Sequence, residues 1–138
     1  MRDFMDVRGE SGRFLRFMLL KDGRPLSPMG GNYLYVRQTG DRTEILYAGE
    51  AQNLLLSALD RWTEASELLQ AQGVYTRLNI SERTRQLEHD DIVRGVRPQM
   101  NLTSEHLAQR DRPVREAPSS SLTDPRGESL KPDKRAAP

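Results

Sequence analysis

The chain has 138 residues, 21 of them basic and 20 acidic, with no cysteine and 36% apolar residues. That length holds one domain, or one domain and a tail; the balanced charge excludes a global field drawing the protein to DNA or anionic lipid, and the absence of cysteine excludes a disulfide scaffold, a thiolate zinc site and a cysteine nucleophile. Two histidines, His89 and His106, make a structural zinc cluster hard to build, and apolar runs of four residues or fewer are far too short for a membrane span or a signal-peptide core, so a soluble, cytoplasmic protein with no membrane partner is expected.

In chain order, Phe14 to Leu20 reads as a strand, stopped by the turn chemistry of Asp22-Gly23-Arg24-Pro25. Asn32 to Gln38 is aromatic and β-branched, as strands prefer. Thr39-Gly40-Asp41-Arg42 turns the chain, and Thr43 to Ala48 returns it as an antiparallel hairpin partner. Asn53 starts a helix in which Leu54, Leu55, Ala58, Leu59 and Trp62 recur at helical spacing and are expected in the core. Thr63 to Gln72 either continues that helix or forms a second short one, stopped by Gly73. Val74 to Ile80 alternates as a third strand. Ser81 is a good N-cap for a helix from Glu82 to about Val96, with Leu87, Ile92, Val93 and Val96 as its apolar contacts and Pro98 beyond its end. The order of elements predicts a small α+β domain.

From Ser104 onward the composition changes. Five of the eight prolines lie there, with mixed charges, a Ser119-Ser120-Ser121 run and few apolar residues. Such a stretch buries too little apolar surface to offset the entropy of ordering it. The expected organisation is therefore an N-terminal extension over 1–13, a folded domain over 14–103 and a disordered tail over 104–138. The tail is a place where a protein partner would be tethered.

Several residues fall into an ordered pattern. Gly31-Asn32-Tyr33 opens a strand; Tyr47-Ala48-Gly49, fourteen residues further from tyrosine to tyrosine, closes the hairpin. Asn53-Leu54 begins the first helix, and Ile92-Val93, Pro98 and Asn101 end the region. Over residues 31–101 this set resembles the GIY-YIG nuclease domain. The resemblance implies a three-stranded antiparallel sheet flanked by helices, and hydrolysis of DNA phosphodiester bonds at one Mg²⁺ or Mn²⁺ ion. A metal lowers the pKa of bound water and neutralises phosphate, and a guanidinium offers paired donors to phosphate oxygens.

Carried over residue by residue, Tyr33 stands near the attacking water, Tyr47 is the second motif tyrosine and Asn101 the terminal asparagine. The position of the family's helix arginine is Ser57, so Arg61, one turn further, takes that role. The position of the metal-binding glutamate is His89, so the neighbouring Glu88, in phase with Ile92, is the expected metal ligand. Gly49, His89 and Asn101 line the site, with Asp90 and Asp91 nearby, and Glu50 stands where a lysine is common. Two functions are expected from this pattern: a divergent metal-dependent endonuclease, or a catalytically degenerate module of the same fold that binds nucleic acid or protein. The bland alternative for Tyr33, Tyr35 and Tyr47 is sheet packing, and for Glu88 to Asp91 a charged helix face.

Overall fold

A computed structural model describes residues 1–102. Five strands, β1 (Phe4–Arg8), β2 (Phe14–Leu19), β3 (Gly31–Thr39), β4 (Arg42–Ala51) and β5 (Gly73–Leu78), form one sheet in the order β1-β2-β5-β3-β4. Every neighbouring pair is antiparallel. Helices α1 (Leu54–Ser57) and α2 (Trp62–Leu69) connect β4 to β5, and α3 (Glu82–Val96) follows β5. The α+β class is as expected, but the sheet has five strands rather than three. Strand β1 comes from the segment expected as an extension. Its alternation is short and mixed with charge, and pairing with β2 is what makes it a strand.

The β3–β4 hairpin turns where Gly40 adopts a φ of 63°, which a side chain tolerates poorly. Pairing slips by one residue between Tyr35 and Val36, so that Tyr35 faces Tyr47 while Val36 faces Ile45. Successive side chains of a strand point to opposite sides, and β3 uses both. Tyr33 and Tyr35 enter one core with Leu46, Leu54, Ala58, Ala65 and Val74, beneath α1 and α2. Leu34 and Val36 enter a second core with Val7, Leu15, Phe17, Tyr75, Ile92 and Val93, beneath α3. Strand β3 is thus buried on both faces. Tyr35 of β3, Tyr75 of β5 and Phe17 of β2 are among the domain's largest fully buried side chains, each contributing roughly 1.5–3 kcal/mol by burial.

The helix between β4 and β5 is broken. Asn53 caps α1 through its side chain, accepting from the Leu56 amide at 3.2 Å, and Arg61 begins α2 separately. Trp62 packs edge-on to Tyr35 at 5.3 Å. Leu55 and Leu59, expected in the core, are exposed because the short α1 offers only Leu54 to the sheet. Ser81 caps α3, accepting from the Thr84 amide at 3.3 Å. Leu87 is exposed, and Arg85 and Glu88 occupy the inward phase with Ile92.

The β1–β2 turn is tied to α3. The Asp91 carboxylate accepts from the Ser11 amide at 2.8 Å and the Ser11 hydroxyl at 2.7 Å, while its carbonyl accepts from the Glu10 amide at 3.0 Å. Gly95 permits this approach. A Cβ there would stand 2.5 Å from the Glu10 nitrogen and 2.7 Å from the Gly9 carbonyl carbon. Alanine ordinarily gains about 0.5–1 kcal/mol over glycine inside a helix. Gly95→Ala is expected to do the reverse and destabilise by about 1–3 kcal/mol, because backbone must move. Urea denaturation followed by circular dichroism measures the sign.

Candidate functional site

Four of the expected site residues, Tyr33, Tyr47, Gly49 and Arg61, meet. The Tyr33, Tyr35 and Tyr47 rings have centroids 5.4–6.0 Å apart, and the Arg61 guanidinium lies over the Tyr47 ring at 4.9 Å. Gly49 sits opposite Tyr33 in the β3–β4 ladder, and only a glycine leaves space there for the Tyr33 ring. The break between α1 and α2 brings Arg61 to this position. Its amide donates to the Tyr35 hydroxyl at 3.2 Å, and that hydroxyl donates to the Ala58 carbonyl at 2.7 Å. The Arg61 side chain also pairs with Glu64 at 3.0 Å.

The surroundings of Tyr33 and Tyr35 favour the neutral phenol. Burial pushes the Tyr33 hydroxyl far above the ordinary phenol range, and the neighbouring Tyr47 and Tyr35 add to the shift. Burial also pushes Tyr35 up to about 12, against the pull of the Arg61 backbone. A phenol held protonated in this way is poorly matched to taking a proton from water near neutral pH.

Glu88 lies elsewhere. Asn32, next to Tyr33 on β3, points to the α3 side, where its amide donates to the Arg85 carbonyl at 3.1 Å. Asn79 donates to the Asn32 side-chain oxygen at 2.9 Å and to Glu88 Oε1 at 2.8 Å. Arg77 Nε donates to the same Glu88 oxygen at 3.1 Å, and Arg13 approaches Oε2 at 3.7 Å. The carboxylate is therefore buried, as its phase with Ile92 implies, but across the sheet from Tyr33 and Tyr47. Nearby, Arg85 Nε donates to Glu50 at 2.6 Å and its terminal nitrogen to the carbonyls of Asn79 and Ile80. Glu50 is thus an arginine partner rather than a free charge facing a phosphate.

His89 of α3 and Asn101 beyond it form a third group, against Ala48 of β4. Asn101 Oδ1 accepts from the Ala48 amide at 2.8 Å and its Nδ2 donates to the Ala48 carbonyl at 2.9 Å. His89 Nε2 lies 3.2 Å from that carbonyl and Nδ1 lies 3.1 Å from Asp90. Asp91, expected near a metal, is committed to the β1–β2 turn. Among the described residues, no group of three or more His, Asp or Glu side chains is placed to hold a metal ion, and no helix is long and apolar enough to cross a membrane. Of the Glu88 oxygens, Oε1 accepts from Arg77 and Asn79, while Oε2 has only the exposed Arg13 at 3.7 Å.

The partly buried network of Asn32, Arg77, Asn79, Arg85 and Glu88 was the part least visible as a unit in the sequence. Its signal was phase. Asn32 alternates with Leu34 and Val36, and Arg85 and Glu88 precede Ile92 by seven and four residues, so polar groups fall where apolar contacts are expected. No family profile, curated protein or solved structure matches the chain. The architecture alone defines it as an α+β domain with an antiparallel sheet covered on both faces.

Two outcomes follow. Asn101→Ala removes both side-chain bonds to Ala48 and is expected to cost about 2–3 kcal/mol, read as a lowered urea midpoint at constant slope. For His89, burial alone lowers the imidazole pKa, but the Asp90 hydrogen bond and charge, the Ala48 carbonyl and Glu50 outweigh it and raise it. A raised folded-state value adds stability that is fully present below the unfolded pKa of about 6.5 and is lost as pH rises through the folded one. His89→Gln is therefore expected to destabilise more at pH about 5.5 than at about 8.5, measured by melting curves at both values.

Proposed function

We propose that the chain is a non-hydrolytic binding module built on a GIY-YIG-like core, in which the motif tyrosines pack the sheet. One observation carries this reading: Glu88, the carboxylate that would hold a metal, is neutralised by Arg77 and lies across the sheet from Tyr33, Tyr47 and Arg61. Metal-dependent hydrolysis needs the water, the cation and the phosphate-binding arginine at one place. Here Arg61 is engaged by Tyr47 and Glu64, and Tyr33 is buried.

The domain's role is then to hold a macromolecular partner, protein or nucleic acid, without cleaving it. The segment 104–138, expected to be disordered and to tether a partner, lies outside the described residues.

Incubation of the full chain with supercoiled plasmid and single-stranded DNA, in Mg²⁺ or Mn²⁺ and beside an EDTA control, tests the reading. No nicking and no thermal shift on adding metal are expected. Metal-dependent nicking that disappears in both Tyr33→Phe and Glu88→Ala would overturn it in favour of the endonuclease.

A further inference from the structure

The two edges of the sheet differ at one point. On β4, the Ala48 amide and carbonyl that point away from β3 are taken by Asn101. On β1 the corresponding groups are open. The Leu19 amide donates to the Asp3 carbonyl at 2.8 Å and the Gly9 amide to the Arg13 carbonyl at 3.0 Å, with Met5 facing Phe17 and Val7 facing Leu15 between them. In an antiparallel ladder, alternate residues bond to the partner strand. Asp3, Met5, Val7 and Gly9 are those residues, so the amides and carbonyls of Phe4, Asp6 and Arg8 point outward. None of these six groups has a hydrogen-bond partner among the described residues.

This edge does not face open solvent alone. A groove of about 1050 Å³ lies along it, lined also by Thr43 and Ile45 of β4 and by Tyr75 and Val96. Its rim carries Arg2, Arg8, Arg16, Asp6 and Asp41. Asp6 is held by Arg16 in a two-pronged pair at 2.9 and 3.1 Å. Arg2 and Arg8 have no carboxylate partner among the described residues, Arg8 lying instead over the Phe14 ring at 5.9 Å. Asp41 is the one opposing charge without an ion-pair partner among those rim residues.

We propose that β1 is a docking edge for an extended peptide segment of a partner protein, in which apolar residues alternate with aspartate or glutamate. The proposal rests on reading the domain as a binding module. Three outward donors and three outward acceptors supply main-chain bonding to an added strand, and side-chain alternation supplies the specificity. The groove accepts apolar side chains against Ile45, Tyr75 and Val96, while Arg2 and Arg8 face carboxylates on the other side of the added strand. A second copy of the chain fits less well. Two-fold pairing through Phe4, Asp6 and Arg8 sets Asp6 directly opposite Asp6, and like charges there are repulsive.

The experiment is fluorescence anisotropy of a labelled ten-residue peptide of alternating valine and glutamate, titrated with the full chain. Saturable binding is expected, with valine–lysine alternation binding about tenfold more weakly. Two further peptides are N-methylated, one on all valines and the other on all glutamates. One is expected to lose binding and the other to keep it, because only one edge of the peptide meets β1. On the protein, Asp6→Pro removes an outward amide and no ladder bond and is expected to weaken binding about tenfold, whereas Asp6→Ala keeps the amide and does not weaken it. The N-methyl pair decides the matter should Asp6→Pro fail to fold.

Absence of saturable binding overturns the proposal, as does equal binding of both N-methylated peptides, which would mean attraction by charge alone. A sedimentation-detected dimer dispersed by Asp6→Pro also overturns it, by assigning the edge to a second copy. Peptide binding and DNA nicking are separate readouts, so failure of this docking edge leaves the non-hydrolytic reading standing, and nicking overturns that reading without altering the peptide result.

Discussion

The alternation of side chains along β3 partitions the molecule. Tyr33 and Tyr35 go to one side of the sheet, and Asn32, Leu34 and Val36 go to the other. Because the side-chain period of a strand is two, a shift of one residue in register would move the tyrosines under α3 and the aliphatic residues under α1 and α2. Both cores depend on that register. The slip between Tyr35 and Val36 keeps β4 in step on each side of it, so that Tyr47 joins the tyrosines while Ala48 and Ile45 pack on the α3 side.

The polar network beneath α3 reinforces the same register. Asn32 accepts from Asn79 and donates to the Arg85 carbonyl, and Glu88 accepts from Asn79 and Arg77. Three elements, β3, the end of β5 and α3, meet only in the arrangement where each of these groups finds a partner. Buried polar groups left unpaired cost roughly 1–3 kcal/mol each, so competing packings of α3 are penalised more than the native one is favoured. Arg85 to Glu50 extends the connection to β4.

This division has a functional consequence. Tyr33, Tyr47 and Arg61 gather on one side of the sheet and Glu88 on the other, and the sheet keeps them apart. What the fold leaves available is its periphery. The β4 edge is sealed at Ala48 by an asparagine side chain that copies the donor and acceptor of a neighbouring strand, whereas the β1 edge keeps its backbone groups. Edges of that kind invite strand pairing, and proteins ordinarily blunt them. The shortness of β1 and the Asp6–Arg16 pair on its face limit indiscriminate pairing without closing the edge.

Much of the fold was legible from short-range chemistry. The β3–β4 hairpin followed from aromatic and β-branched runs around a Gly-containing turn, and α3 from Ser81 and the spacing of Ile92, Val93 and Val96. The inward turn of Glu88 followed from its phase with Ile92. β1 was not legible, because five residues with alternating charge become a strand only when β2 is beside them. Leu55, Leu59 and Leu87 were misplaced for a related reason: helical spacing shows which residues share a face, but how much of that face is covered depends on where the helix breaks and what it meets. The sequence by itself determined the β3–β4 hairpin, β5 and α3 and the phase of their side chains, since dihedral preferences and periodicity act over a few residues. Only the tertiary structure decided that Tyr33 and Glu88 stand on opposite sides of one sheet, because that depends on which face α3 covers, a contact between segments some fifty residues apart.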